Sequence, residues 1–331
     1  MTYRIGLIPG DGIGREVIPA AVEVLTATNL AFEWIELEAG WETFRERGSA
    51  LPQETLVCLQ DCDASLFGAV SSPSSPVPGY RSPIVVLRQA LDLYANLRPV
   101  RSLPGTREGI DLLIVRENTE GLYAGIETLD GERAIAQRVV TRRASARIVR
   151  LACEKAMTRR RHLTLVHKAN ILRQTCGLFR AVGLEVAAEF PELRLEEMLV
   201  DTAALRLVQS PEDFDVLVTT NLFGDILSDE AAGLVGGLGL APSGNVGERH
   251  GIFEPVHGSA PDIAGRGIAN PIAAVLASAM MLDYLGETEV SNRIQLAVET
   301  ILRMGPRPRD LGGSASTREV TAYLVQAVKA A

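Results

Sequence analysis

Four cysteines in 331 residues exclude a disulfide framework, which small loop-rich chains need and a chain this long does not. Cys58 and Cys62 stand close together with no histidine nearby, which argues against zinc; all four are expected to be buried thiols. Positive charge is also short: 33 Lys and Arg against 41 Asp and Glu give a net charge of −8. Nucleic acids and anionic membranes require clustered cations, so neither is an expected partner. No apolar run reaches the length of a membrane span, and no charged leader precedes the apolar start Tyr3-Arg4-Ile5-Gly6-Leu7-Ile8. The expectation is a soluble, cytoplasmic protein without a signal peptide. There is no internal repeat, no low-complexity tail, no Gly-x-Ser-x-Gly elbow, no Walker loop and no His-Glu-x-x-His helix.

What is present is enough apolar sequence, 47%, to bury a large core. Short apolar runs alternate with longer helical stretches, the pattern of an α/β protein. Strands are expected over 3–8, 31–37, 64–69, 110–116, 162–168 and 214–219, and helices over 13–27, 84–94, 143–158, 222–235, 271–285, 288–303 and 316–329. Residues 121–140, punctuated by Gly121, Gly125 and Gly131, read as a hairpin excursion, either an oligomer contact or a plain surface hairpin. Arg98-Pro99 and the glycine-rich stretch from Gly233 read as punctuation between larger units.

Gly10-Asp-Gly-Ile-Gly14 follows a strand, opens a helix and has Glu36 and Glu38 ending the next strand, which invites a dinucleotide reading. The spacing argues against it, because G-x-G-x-x-G needs its third glycine where Arg15 stands. A nucleotide, if bound, is expected elsewhere.

Asp225 and Asp229 lie four apart, so a helix projects them from one face. Two carboxylates that close raise each other's pKa unless a cation sits between them. They read either as a solvated acidic face or as ligands for Mg²⁺ or Mn²⁺, with Asp201 as candidate third ligand at the end of an apolar strand. Arg88 on a helix, Arg98, and Arg116 at a strand end require anionic partners. Glu117 and Glu120 could serve Arg116, or the three arginines could form a carboxylate trap. Lys168 at another strand end is a candidate base, and Tyr123 offers a phenolic proton. A divalent cation, an anion trap, a base and an acid together suit oxidation of a hydroxy acid followed by loss of CO₂.

These residues occur in motifs that resemble the isocitrate/isopropylmalate/homoisocitrate dehydrogenase family almost end to end. They are Gly10-Asp-Gly-Ile-Gly, Leu91-Asp-Leu-Tyr-Ala-Asn-Leu-Arg-Pro, Val115-Arg-Glu-Asn-Thr-Glu-Gly-Leu-Tyr, His167-Lys-Ala-Asn, Phe223-Gly-Asp-Ile-Leu-Ser-Asp and Phe253-Glu-Pro-Val-His-Gly-Ser-Ala-Pro-Asp-Ile-Ala-Gly. The resemblance implies an α/β, non-Rossmann, two-domain β-decarboxylating dehydrogenase fold with a hairpin arm for dimerisation. It implies a large cofactor-binding domain from residues 1–98 and 237–331, and a small domain from 99–236 with the arm at about 120–140. It also implies homodimers with shared sites, and does not settle whether dimers pair into tetramers.

Carried over by motif, Asp225 and Asp229 bind Mg²⁺ or Mn²⁺, with Asp201 from the neighbouring subunit. Arg88, Arg98 and Arg116 hold the malate portion of a tricarboxylate-sized substrate, with Ser72, Ser82 and Asn170 as further contacts. Lys168, also from the neighbour, takes the hydroxyl proton, and Tyr123 protonates the enol carbon. The nucleotide is implied along Glu254 to Gly265 (Glu254, His257, Gly258, Ser259, Ala260, Asp262 and Ile263), with Asn270. The acid at Asp262 points to NAD, since it would repel the 2′-phosphate of NADP. Substrate choice lies in Ser71–Arg88, and Gly79-Tyr-Arg-Ser-Pro-Ile-Val-Val-Leu-Arg looks most like homoisocitrate dehydrogenases of lysine biosynthesis. Val85 stands where some bacterial members carry arginine, so the distal carboxylate must be met by Ser72, Ser82, Arg81 or water. Isocitrate and 3-isopropylmalate are the neighbouring substrates, mixed specificity is open, and a catalytically silent regulatory subunit is the reading from another class.

Overall fold

The computed structural model describes residues 2–330. The chain divides into two compact units, Met1–Leu91 with Leu103–Thr106 and Gly236–Ala331, and Asp92–Ser102 with Arg107–Val235. The first boundary falls at 91/92 rather than at 98/99. Arg98-Pro99 is not punctuation: it lies inside a strand, Ala95–Arg101, that pairs residue for residue with Asp111–Glu117 in the second unit.

The first unit begins with β1 (Thr2–Gly10), α1 (Gly14–Thr26), β2 (Ala31–Glu36), α2 (Trp41–Arg47), α3 (Gln53–Gln60), β3 (Ala64–Ala69) and α4 (Pro83–Ala90). The second unit holds β4 (Ala95–Arg101), β5 (Asp111–Glu117), β6 (Glu127–Leu129), β7 (Ala134–Ala136), α5 (Arg142–Met157) and β8 (His162–His167). It continues with α6 (Thr175–Ala187), β9 (Arg194–Leu199), α7 (Val200–Gln209), β10 (Val216–Thr219) and α8 (Asn221–Leu234). The chain then completes the first unit with β11 (Pro242–Val246), β12 (Gly251–Pro255), α9 (Ile272–Tyr284), α10 (Thr288–Met304) and α11 (Thr317–Ala330).

Within the first unit the strands run β2-β1-β3-β12-β11, all neighbours parallel except the antiparallel pair β11 and β12. Within the second they run β4-β5-β10-β8-β9, parallel except for β4 against β5. Strands buried on both faces read as unbroken apolar runs, and Ala64–Ala69 and Val216–Thr219 are buried at every residue. Helix α9 is apolar all round and correspondingly buried at nine of its positions, with Ile272, Val275 and Leu282 in the core. Residues 121–140 form the expected excursion, with β6 and β7 as a short antiparallel hairpin.

In the second unit, Leu227 and Ala231 of α8 enter a cluster with Ile114, Val166, Leu207 and Leu217. Burying a leucine contributes about 1.5–3 kcal/mol, enough to fix which face of α8 turns inward. Ile226, one residue earlier, is exposed. The rotation that buries Leu227 therefore leaves Asp225 and Asp229 along the flank of the helix.

Three cysteines are buried as expected, but Cys58 is exposed, because α3 turns Thr55 and Leu59 inward and Cys58 outward. Burial pushes the Cys62 thiol up to about 11 and the Cys153 thiol up to about 12. Among the described residues no helix is long and apolar enough to cross a membrane.

Candidate active site

The second unit gathers Arg98, Arg116, Tyr123, Asp225 and Asp229. Arg116, at the penultimate position of β5, is only 1% exposed, so its charge needs partners inside the protein. They are Asp225 Oδ1, to which Nη1 donates, and Asn221 Oδ1, which accepts from Nη2 at 2.7 Å and Nε at 3.2 Å. Glu117, the partner that sequence proximity offered, instead accepts from the Thr119 and Glu120 amides. Arg98, from β4, donates through Nη1 to Asp229 Oδ1 at 2.7 Å and Ser228 Oγ at 2.8 Å, and through Nη2 to Asp225 Oδ1 at 3.3 Å.

Tyr123 completes the group. Its hydroxyl donates to Asp225 Oδ2 at 2.6 Å, and the Arg116 guanidinium lies 5.1 Å from the ring centre. Burial, reinforced by Asp225, pushes the phenol above its ordinary pKa, so Tyr123 keeps its proton. Burial likewise holds Asp229 above the usual carboxylate range; Asp225 pushes the same way, while Arg98 and Arg116 oppose.

Lys168 and Asp201 form a separate pair, with Nζ 2.6 Å from Oδ1. Lys168 follows β8 directly, and Asp201 lies in the first turn of α7 rather than at a strand end. Parallel pairing of β8 with β9 places both at the same end of the sheet. The hydrogen bond from Lys168 lowers the Asp201 pKa. Asn170, two residues on, is exposed.

The first unit carries the remaining motifs. Arg88 is buried near the end of α4, with Nε 3.0 Å from Asn245 Oδ1 and Nη2 3.4 Å from Glu254 Oε1. Glu254, expected at the nucleotide, is thus a partner of Arg88, and it also accepts from Asn245 Nδ2 at 2.7 Å. Ser72 is exposed, while Ser82 precedes α4 without capping it through its side chain. Arg81 turns to Gln89.

A cavity of about 290 Å³ is lined by His257, Ile263 and Asn270, all expected there, and by Ile13, Ile268 and Asp310, which were not. Arg266 and Arg309 also border it. His257 Nε2 is buried without a hydrogen-bond partner, and burial lowers the ring's pKa, so it is a neutral imidazole. Asn270 donates to Asp310 at 2.9 Å and accepts the Ile272 amide at 3.0 Å, tying the cavity to the start of α9. Ala260 has φ +39°, a strained value for a residue with a side chain. Gly258 and Asp262 are exposed, and Asp262 does not line the cavity. A larger cleft of about 450 Å³, bordered by Gln60, Cys62, Asp63, Arg249 and His250, contains none of the motif residues.

The family described as isocitrate/isopropylmalate dehydrogenase matches residues 4–327. The chain belongs to this family. A Thermus thermophilus protein named isocitrate/homoisocitrate dehydrogenase is 57% identical over 332 residues, covering 99% of each chain. A Methanocaldococcus jannaschii protein named 3-isopropylmalate/3-methylmalate dehydrogenase is 48% identical, again covering 99% of each. The crystal structure of isocitrate dehydrogenase from Methylococcus capsulatus superposes with a TM-score of 0.94 at 45% identity over 99% of both chains. The chain is accordingly a dehydrogenase of the decarboxylating hydroxy-acid type, and its fold is that of these enzymes rather than a Rossmann arrangement.

The residues fit the groups that this family implies. Asp225 and Asp229 offer hard oxygen donors one helical turn apart, and burial together with the neighbouring Asp225 raises the Asp229 pKa, a repulsion that a cation between the two would relieve. Among the described residues no three acidic, His or Cys side chains converge as a complete metal cage. For the nucleotide, the unpartnered His257 Nε2 beside the cavity is the matching feature.

Three supporting residues carried no assigned role in the sequence reading. Asn221 holds the Arg116 guanidinium. Gly224 makes room for it: a Cβ there would lie 2.6 Å from Arg116 Cγ and 2.7 Å from its Cβ. Asp11 anchors the glycine turn, accepting the amides of Trp41 at 2.7 Å, Glu42 at 3.0 Å and Ser71 at 2.8 Å. That turn is braced against the loop at Ser259, because the Ile13 amide donates to Ser259 O at 2.9 Å. A side chain at Gly12, whose φ is +56°, would overlap that same carbonyl.

Gly224→Ala is expected to displace Arg116, destabilise the chain by about 1–3 kcal/mol through overpacking, and lower kcat/KM for the hydroxy acid. Denaturant titration and steady-state kinetics check this; unchanged values in both would remove Gly224 from the support of Arg116.

Proposed function

We propose that the chain catalyses NAD-dependent oxidative decarboxylation of homoisocitrate to 2-oxoadipate and CO₂, a step of lysine biosynthesis by the aminoadipate route. The observation that carries the reaction type is the contact chain Arg116–Asp225–Tyr123, which sets a protonated phenol beside a carboxylate and two guanidinium groups. The relative named isocitrate/homoisocitrate dehydrogenase supports the substrate.

In this reading Arg88, Arg98 and Arg116 bind and orient the substrate carboxylates. Lys168 takes the proton of the 2-hydroxyl, and a bound nicotinamide would supply the hydride acceptor for the same carbon. Asp225 and Asp229 would hold Mg²⁺ or Mn²⁺, which when bound would supply Lewis acidity toward the substrate oxygen. The departing carboxylate leaves its electron pair on the adjacent carbon, and Tyr123 delivers a proton there. Lys168 and Asp201, which pair with each other, are assigned in this reading to act from a second copy of the chain in a homodimer. The presence of Tyr123, Lys168 and all three aspartates argues against the silent-subunit reading, and turnover by the purified chain alone would exclude it.

Asp262 supports NAD in this reading, because its carboxylate would oppose a 2′-phosphate. Arg266 and Arg309 at the cavity favour NADP as the second reading. Side-by-side kinetics of the purified chain with homoisocitrate, isocitrate and 3-isopropylmalate, each with NAD and NADP, decide both points. The highest kcat/KM is expected for homoisocitrate with NAD. A higher value for isopropylmalate refutes the substrate, and a higher value with NADP refutes the coenzyme.

A further inference from the structure

His167 has no part in the reaction as derived, yet it is a polar ring buried to 6% exposure at the end of β8, immediately before Lys168. An apolar residue would fill that place without the cost of burying ring nitrogens. The Ala169 amide donates to its Nδ1 at 3.2 Å. That bond requires a lone pair on Nδ1, so the ring proton sits on Nε2, which faces Glu197 Oε2 at 3.4 Å. Glu197 is in turn held by Arg180, whose Nη2 lies 2.9 Å from Oε1. Burial lowers the His167 pKa and favours the neutral ring, with Glu197 acting in the opposite direction.

The Ala169 N–H belongs to the same planar peptide unit as the Lys168 carbonyl. That carbonyl accepts from the Ile171 amide at 3.1 Å and the Leu172 amide at 2.8 Å. The peptide after Lys168 is thus gripped at both ends, by a side chain on its N–H and by the following turn on its C=O. Without the His167 bond the peptide is held on one side only. Freed on that side, the backbone torsions that flank the peptide can change, and with them the direction from which Lys168 approaches Asp201.

We propose that His167 is a positioning residue for Lys168: its Nδ1 fixes the Lys168–Ala169 peptide and so aims the lysine amine. This rests on the reading of Lys168 as the base. Three full-length variants test it. In His167→Asn the side-chain oxygen stands the same number of bonds from Cβ as Nδ1 and can accept the Ala169 amide. His167→Gln carries its amide group farther out, toward the Nε2 position, and His167→Leu has no acceptor.

The expected result is kcat within about threefold of the parent for Asn, and a loss of up to roughly 10²-fold for Gln and Leu, with KM for the hydroxy acid little changed. Amide hydrogen exchange at Ala169 should be slow in the parent and in Asn, and fast in Gln and Leu. Equal exchange at Ala169 in all variants, or an Asn variant as impaired as Leu, overturns the proposal. If the Leu variant does not fold, the Asn and Gln pair alone carries the comparison. A Lys168→Met variant that kept its turnover would overturn the base assignment, whereas the exchange measurement decides His167's hold on the peptide in either case.

Discussion

Replacing Asp225 with alanine will abolish measurable turnover and destabilise the chain by about 3–5 kcal/mol, the usual range for breaking a buried ion pair from one side. Asp225 accepts from Arg116, Arg98 and Tyr123. Arg116 cannot escape to solvent, being 1% exposed, so the substitution leaves a buried guanidinium short of its anion. Activity is lost for separate reasons, because the proposed metal loses a donor and the proton of Tyr123 loses its acceptor. Urea titration and steady-state kinetics at saturating Mg²⁺ check the two effects independently. If stability fell while turnover persisted, Asp225 would be a structural counter-ion only.

The second large effect is purely chemical. Lys168→Met should lower kcat by about 10²–10⁴-fold, the range for loss of a general base. The Tm should not move, since Lys168 pairs only with the exposed Asp201. Metal binding measured by calorimetry should survive as well, because Asp225 and Asp229 are untouched and Asp201 keeps its carboxylate. Near-normal turnover would end the assignment of Lys168 as base. Contrasting the two variants separates a residue that holds the unit together from one that acts only on substrate.

Much of this was legible in the sequence because strong periodicity and burial agree. Strands such as Ala64–Ala69 are mostly apolar and buried at every residue, and helices such as α9 and α10 are long enough to read by pattern alone. The strand β4 was hidden by Pro99, which has no amide to donate; seven paired positions with β5 outweigh that local signal. Helices α2 and α3, at 7 and 8 residues, are too short to show a full amphipathic period. α6 carries Gly177 and Gly183, weak helix formers that broke its reading; Gly183 is needed because a Cβ there would meet the Leu165 side chain at 2.7 Å.

The site follows the same division. Motif spacing placed Asp225 and Asp229 on one helix and Arg116 at a strand end, and the structure puts all three in one cluster with Arg98 and Tyr123. It did not supply the pairings. Glu117 was the near neighbour of Arg116, yet Asn221, 105 residues away, holds the guanidinium. Arg88 and Glu254, assigned to different ligands, are bonded to each other. Long-range partners of this kind leave no periodic trace. The one available cue was a polar residue and a glycine, Asn221 and Gly224, inside an otherwise apolar helix start.

The anchoring by Asp11 also bears on how the enzyme can be redesigned. Ser71 is moored twice, through its amide to Asp11 at 2.8 Å and its hydroxyl to Ser259 at 2.8 Å. Tyr80 returns the chain, its hydroxyl donating to the Ser71 carbonyl at 3.1 Å and its ring resting edge-on against Trp41 and Phe44. Between those two moorings the chain is mostly exposed and makes few demands of its sequence. In the proposed reading an engineer would therefore rewrite residues 72–79, together with Ile84 and Val85, to suit another acid. In that reading Ser71 joins the coenzyme loop, through Ser259, to the stretch that selects the acid, so acid preference and coenzyme preference become independent dials only from the residue after it.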